Sequence, residues 1–196
     1  MKFADNLYYI QYERFLKELS RLMAEGKGDA DEADAVRDEM DVPWYTLSEE
    51  ETKRLRGLSA DLYMLQDEEV YESHGGTEQE LRSALSEALG RLDYEAVLSL
   101  LRKGTPFLSP AQVAALRGRC YATLGHLETG LLFMRYAAEH EPEQATHELY
   151  ILMLLVRLNR GQEVLSELAQ LSRSREALSE VMSYVRTLPE PLLLAA

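Results

Sequence analysis

Three residues with the side chains that transition metals prefer lie close together in this sequence. His140, Glu143 and His147 have the spacing of ligands on one helix face. Pro142 lies between them, and a proline is expected to separate His140 from the helix that carries the other two. A solvated surface is therefore the favoured interpretation, and we predict no metal site here.

A group of aspartates near residue 30 has some of the features of a calcium-binding loop. If Asp29, Asp31 and Asp34 belonged to an EF-hand, the loop would need a carboxylate at position five, glycine at six and glutamate at twelve. Those positions are occupied by Ala33, Asp34 and Met40. The pattern fails at all the remaining ligand positions, so we expect no calcium site.

Nucleophilic chemistry has equally little support. Cys120 is the only cysteine, and its place beside Tyr121 in an apolar helical segment favours a small buried side chain over a nucleophile. The chain contains no glycine-rich phosphate loop, no Gly-x-Ser-x-Gly elbow and no His-Glu-x-x-His motif. We predict no catalytic residues and no cofactor, and therefore a protein that is not an enzyme.

Charge and hydropathy exclude further classes. With 34 acidic and 21 basic residues among 196, the net charge is −13, which disfavours binding to nucleic acid or to an anionic membrane surface. The N-terminus lacks the apolar core of a signal peptide, and the longest apolar run, Leu149 to Val156, is too short to span a membrane. Together with the single cysteine, these features predict a cytoplasmic protein.

The acidity is concentrated in the first part of the chain. Residues 1–80 hold 9 basic and 21 acidic residues, whereas residues 81–196 hold 12 and 13. The N-terminal part could face a basic partner or could keep a helical protein soluble, and solubility is the favoured interpretation.

Apolar residues recur with a helical period throughout, which predicts an all-α fold. In the first part, one stripe predicts a helix over residues 5–25, a second short helix follows over 29–41, and the stretch 42–45 is predicted to be an extended connector because of Pro43. Trp44 is expected to pack this connector onto the helices. A third helix begins at the capping-box pair Ser48 and Glu51. The stripes of the first and third helices are Tyr8, Tyr12, Phe15, Leu19 and Leu22, and Leu55, Leu58, Leu62 and Leu65.

A boundary is predicted at Gly75-Gly76, which divides the chain into an acidic N-terminal extension (1–76) and a second region (77–196). Two capping boxes start helices in the second region, at Thr77 and at Ser109, where Pro110 occupies the first helical position. The remaining helices are predicted over about 94–101, 126–140, 143–158, 162–171 and 175–188.

Glycines between the predicted helices suggest an internal repeat. Gly90, Gly125 and Gly161 are separated by 35 and 36 residues, close to the 34-residue period of a helix–turn–helix repeat.

The unit over residues 111–144 resembles a tetratricopeptide repeat. The matching positions are Gly118, Tyr121, Gly125, Ala137 and Pro142, and a broader resemblance covers about 77–188. Three departures lie within the same unit: Ala114 replaces an aromatic residue, Arg117 replaces a leucine, and Gly130 replaces an alanine, at a cost of about 1 kcal/mol.

The resemblance implies stacked antiparallel hairpins, a short TPR-like solenoid with an N-terminal helical extension. In that family the first helix of each hairpin lines a groove for a peptide or a partner helix. The residues that it places in the groove are Arg82, Ser86, Gln112, Arg119 and Thr146. The two arginines would offer donors suited to a carboxylate.

The resulting functional hypothesis is a non-enzymatic scaffold or adaptor for another protein. One alternative is a self-assembly module that forms homo-oligomers through the stripe Leu55, Leu58, Leu62 and Leu65. Another is an accessory subunit of an enzyme. The N-terminal helices would cap one end of the repeat stack, and the tail at 192–194 would pack against its last helix.

Overall fold

The computed structural model describes residues 6–66 and 77–171, and these residues form helices, turns and no strands. The all-α prediction is therefore confirmed for the described residues. The helix predicted over 175–188 and the tail at 192–194 lie outside them. The helices of the described ranges are α1 Leu7–Ala24, α2 Asp31–Trp44, α3 Glu49–Tyr63 with a 3-10 turn at Met64–Gln66, α4 Glu78–Gly90, α5 Tyr94–Arg102, α6 Pro110–Thr123, α7 Leu127–His140, α8 Ala145–Arg157 and α9 Gly161–Leu171.

The chain divides into two compact units. The first contains Met1–Gly75 together with Arg102–Gly104, and the second contains Gly76–Leu101 and Thr105–Ala196. In the first unit, α1 packs against α2 and α3. In the second, α6 packs on α7, α7 on α8, and α8 on α9.

The buried face of α1 is rotated from the one that the sequence suggested. Tyr9 is 1% exposed, and Glu13 and Leu16 are also buried, whereas Tyr8 is 47% exposed. Because two tyrosines are adjacent, either of two neighbouring faces of the helix could have been the buried one. In the folded unit, the face that contains Tyr9 is buried. Leu22 is buried as expected.

The first unit buries carboxylates with specific partners. Glu51 accepts hydrogen bonds from the Asn6 amide at 2.7 Å and from the backbone N–H of Ser48 at 2.8 Å, which completes the predicted capping box. Asp61 is fully buried, and its two oxygens each accept an N–H from Arg102 at 3.0 Å. Each carboxylate therefore compensates part of its desolvation by accepting at least two hydrogen bonds.

The predicted extended connector is wrong, because α2 continues through Trp44. Pro43 lies in the last turn, where its missing N–H costs one helical hydrogen bond at most. The ring of Pro43 is buried, and the Trp44 ring contacts Tyr12 of α1 at a centroid distance of 5.1 Å. This packing outweighs the preference of Val42, as the residue before a proline, for extended backbone.

The leucine stripe of α3 faces inward. Leu55, Leu58 and Leu62 are 1%, 1% and 3% exposed, and Leu65 is half-buried. The stripe forms part of the core of the first unit, so it does not offer the surface for self-assembly that the sequence suggested.

In the second unit, α6 and α7 approach through two glycines. A Cβ on Gly130 would lie 2.9 Å from the carbonyl oxygen of Gly118 and 3.0 Å from the Cβ of Ala122. A Cβ on Gly118 would meet the Met134 side chain at 2.9 Å. Gly130 therefore allows a close backbone approach, and its departure from the repeat pattern has a packing reason.

Three turns of the second unit have the same backbone geometry. Leu92, Gly125 and Asn159 have positive φ values of 58°, 98° and 58°, and they are 33 and 34 residues apart. After each of them, the next N–H bonds back to a carbonyl five residues earlier at 2.9 Å, as in a Schellman motif. The regular spacing in this unit is therefore one of turn geometry at these three positions. Of the three glycines in the sequence argument, Gly90 and Gly161 instead end α4 and begin α9.

Candidate binding surface

Two neighbouring helices of the second unit each carry a solvent-accessible stripe of side chains. The residues recur at spacings of four, three and four, which places each set on one helix face. All are exposed or half-buried. The stripes are Gln112, Leu116, Arg119 and Thr123 on α6, and Thr146, Tyr150, Met153 and Arg157 on α8.

The two stripes meet where Arg119 lies over Tyr150. The guanidinium carbon is 4.6 Å from the centroid of the tyrosine ring, within the range of a cation–π contact. In the part of the chain that the structure describes, the Nε of Arg119 is buried and has no hydrogen-bond acceptor. The contact holds a half-buried arginine on an aromatic ring where the two accessible stripes meet.

A buried histidine lies beside this contact. His147 is 6% exposed, and its Nε2 is 3.7 Å from a carboxylate oxygen of Glu141. The other oxygen of Glu141 accepts the Ser109 hydroxyl at 2.6 Å. Burial lowers the pKa of His147, the Glu141 carboxylate opposes that shift, and the charge of Arg119 adds to it. The imidazole is consequently held neutral, next to a fixed cation.

The predicted groove residues do not all form one cluster. Arg119 and Thr146 lie on the stripes that meet, and Thr146 directly precedes His147. Gln112 is on the α6 stripe, but its side chain accepts the Ser109 N–H at 3.1 Å as the capping-box residue. Its carbonyl oxygen is therefore already engaged.

Arg82 and Ser86 are exposed one turn apart on α4. The contacts of Arg82 are an ion pair with Glu78 at 2.8 Å and a cation–π contact with Phe107 at 4.0 Å. An exposed pair on one helix contributes little to stability. Arg82 is therefore held by Glu78 on its own helix and by Phe107 between α5 and α6, apart from the contact of Arg119 with Tyr150.

Several residues of this surface were missed by sequence reasoning. Tyr150 and Met153 were read only as part of an apolar helix, and His147 only as a member of a metal pattern. The signal that could have found them is the four-three-four spacing of α8 beginning at Thr146, which gives a stripe with polar ends and an aromatic centre.

The described residues form neither a metal site nor a membrane-spanning helix. Among the described residues, no group of three or more His, Cys, Asp or Glu side chains could hold a metal ion. No helix within 6–66 or 77–171 combines the length and apolar character needed to cross a bilayer. Comparison with known protein families, curated protein sequences and solved structures finds no match.

Proposed function

We propose that the chain is a non-enzymatic scaffold whose second unit binds a peptide or a helix of another protein across the α6 and α8 stripes. The observation that carries this proposal is the stacking of Arg119 on Tyr150 at the point where the two solvent-accessible stripes meet. Arginine and tyrosine dominate the energetics of many protein interfaces, because each combines a large contact area with directional polar groups.

The repeated turns support a stack of hairpins like that of tetratricopeptide repeats. Turns of one geometry at intervals of 33 and 34 residues would give successive hairpins the same shape. In such a stack α6 and α8 would be equivalent helices of consecutive hairpins, and their stripes would form one continuous groove. Leu116 and Met153 would supply apolar contacts beside the arginine.

Affinity purification from the native cell tests this function. The full chain would be compared with the variant Arg119→Glu/Tyr150→Ser, and the recovered proteins quantified by mass spectrometry. The matched control is Arg91→Glu, which reverses an exposed arginine in the turn after α4. We expect partners that are retained by the wild type and the control and depleted at least tenfold with the double variant. An identical set of partners for all three proteins would contradict the proposal.

A second arm separates self-association from binding to another protein. Light scattering at high micromolar concentration would report a dimer if the stripes paired with a second copy. The proposal requires a monomer whose partners are different proteins.

A further inference from the structure

The first unit exposes apolar side chains at one end of its first hairpin. Of the large hydrophobic residues that are exposed in the described chain, half belong to this end. We call them the α1–α2 patch: Leu7, Tyr8, Ile10, Val42 and Tyr45. Val42, in the last turn of α2, is 69% exposed and Tyr45, directly after it, is 83% exposed, although Ala33, Met40 and Pro43 of this helix are buried.

The antiparallel hairpin brings these residues to the same end. A connection of six residues joins α1 to α2, and the rings of Tyr12 and Trp44 are in contact. The start of α1 is therefore beside the end of α2. Leu7 with Ile10, and Val42 with Tyr45, are each three residues apart on their helices, so each pair forms a continuous apolar surface. Clustered exposed apolar surface of this kind marks interaction sites in soluble proteins.

The electrostatics of α2 define the chemistry of the partner. Asp38, Glu39 and Asp41 are exposed in the last two turns, and the described part of the chain places no cation within ion-pair distance of them. The last turn of α2 contains no basic residue of its own, so no side chain of the helix offsets the negative end of its dipole. Arg56 is the nearby cation, and it lies over the Trp44 ring at 5.5 Å.

Carboxylates alone would be an ordinary solvated helix face. Here they border exposed apolar side chains, and a partner that satisfies both must carry positive charge beside apolar groups. We propose that the α1–α2 patch binds a basic amphipathic helix of another protein, with its apolar stripe on Val42 and Tyr45 and its lysines or arginines near Asp38 and Asp41. This surface lies in the first unit and does not depend on the function proposed for the second.

The test uses a fluorescent peptide of about 20 residues, containing only leucine and lysine, with leucines at helical i, i+3, i+4 and i+7 spacing. Its affinity for the full chain is measured by anisotropy. A scrambled peptide of the same composition separates amphipathic recognition from simple attraction to an acidic protein. We expect saturable binding of the amphipathic peptide and at least tenfold weaker binding of the scrambled one.

Two variants with matched controls locate the surface. Val42→Ser/Tyr45→Ser should weaken binding about tenfold, whereas Leu165→Ser/Leu168→Ser, an exposed apolar pair on α9, should change it less than about twofold. Asp38→Asn/Glu39→Gln/Asp41→Asn should weaken binding and reduce its salt dependence. Asp29→Asn/Asp31→Asn/Glu32→Gln, which removes the same charge at the other end of α2, should weaken it less.

Three results would overturn the proposal. The first is equal binding of the amphipathic and scrambled peptides. The second is an equal loss in the patch variants and their controls. The third is concentration-dependent self-association of the wild type that Val42→Ser/Tyr45→Ser abolishes, since the patch would then be covered by a second copy.

Discussion

The two units bury different kinds of residues to achieve the same kind of helix packing. The first unit carries most of the negative charge of the chain, and its core includes the carboxylates of Glu13, Glu51 and Asp61. The second unit is less acidic, with 10 basic and 15 acidic residues against 11 and 19 in the first, and its α6–α7 contact depends on Gly118 and Gly130. The core of the first unit is stable only while its buried carboxylates keep their hydrogen-bond partners. The core of the second unit is stable only while the two helices have no side chain between them at these glycines.

The two units are therefore destabilised by different kinds of substitution. Removing one partner of a buried charge leaves desolvation without its compensation. Adding one carbon between closely approaching backbones forces them apart. Trp44 is the only tryptophan and lies in the first unit, so its fluorescence reports unfolding there, while far-UV circular dichroism reports both units.

The largest expected effect is at the buried ion pair of the first unit. Asp61→Ala removes the carboxylate that accepts two hydrogen bonds from Arg102, so we expect the free energy of unfolding to fall by about 3 kcal/mol. Urea denaturation followed by Trp44 fluorescence measures it. Glu18→Ala, which removes an exposed ion pair with Arg21 on α1 of the same unit, should cost less than about 0.5 kcal/mol. Similar losses in both variants would contradict the importance of burial.

The second prediction concerns the glycines of the second unit. Alanine normally favours a helix over glycine by about 1 kcal/mol. Gly130→Ala should nevertheless destabilise by about 1–2 kcal/mol, because its Cβ would meet the backbone of α6. Gly118→Ala should be milder, since its Cβ would meet the flexible Met134 side chain at 2.9 Å and the nearest backbone atom, the Gly130 carbonyl oxygen, only at 3.1 Å. The two glycine variants are compared by thermal unfolding, followed by circular dichroism, and by amide hydrogen exchange in α6 and α7. A stabilised Gly130→Ala protein would show that the backbones are farther apart.

A smaller effect, a gain in stability, is expected at one of the three turns that share a positive φ. Leu92 has φ of 58°, a conformation that costs a branched or bulky residue roughly 1 kcal/mol and glycine almost nothing. Leu92→Gly should therefore stabilise the second unit by about 1 kcal/mol, with Asn159→Gly giving less because asparagine tolerates this conformation. Gly125→Ala should have the opposite sign. The midpoint of urea unfolding, followed by circular dichroism, measures the stability of each variant. A destabilised Leu92→Gly protein would refute the shared turn geometry.

The smallest effect is a pH dependence from His147. Its pKa is lowered in the folded protein by burial, so the unfolded chain binds a proton that the folded one does not. The stabilising contribution is present above the unfolded pKa of 6.5 and is lost as the pH falls below it. Unfolding free energies of the wild type and His147→Gln, measured from about pH 7.5 to 5.5, should converge on acidification.

The matched control for this pH experiment is His140→Gln, because His140 is exposed and stacks on Tyr136. If the two histidine variants gave the same profile, burial of His147 would not be the cause.

Helix positions could be read from the sequence because they depend on local chemistry. The capping boxes at Ser48, Thr77 and Ser109 form as expected, since the residues that make them are three apart in the chain. The prediction at Pro43 was wrong because it used only the local preference for extended backbone before a proline. Burial of the proline ring and the Tyr12–Trp44 contact outweigh that preference.

The candidate surface could be anticipated only in part. Arg119 and Thr146 were named because the repeat pattern places them on the first helix of a hairpin. Tyr150 and His147 were not, because an apolar helix gives no sign of which side chain will meet an arginine from another helix. Likewise, Tyr8 and Tyr9 are equivalent until α3 packs on one of them.

By itself, the sequence determined the all-α class, the helix starts, the uneven charge and the absence of recognisable catalytic motifs. These properties depend on residue types and on spacings within one or two turns. Only the tertiary structure decided that Asp61 pairs with Arg102, that Gly130 approaches Gly118, and that Val42 and Tyr45 remain exposed. Those outcomes depend on distances between residues far apart in the chain, and packing sets such distances.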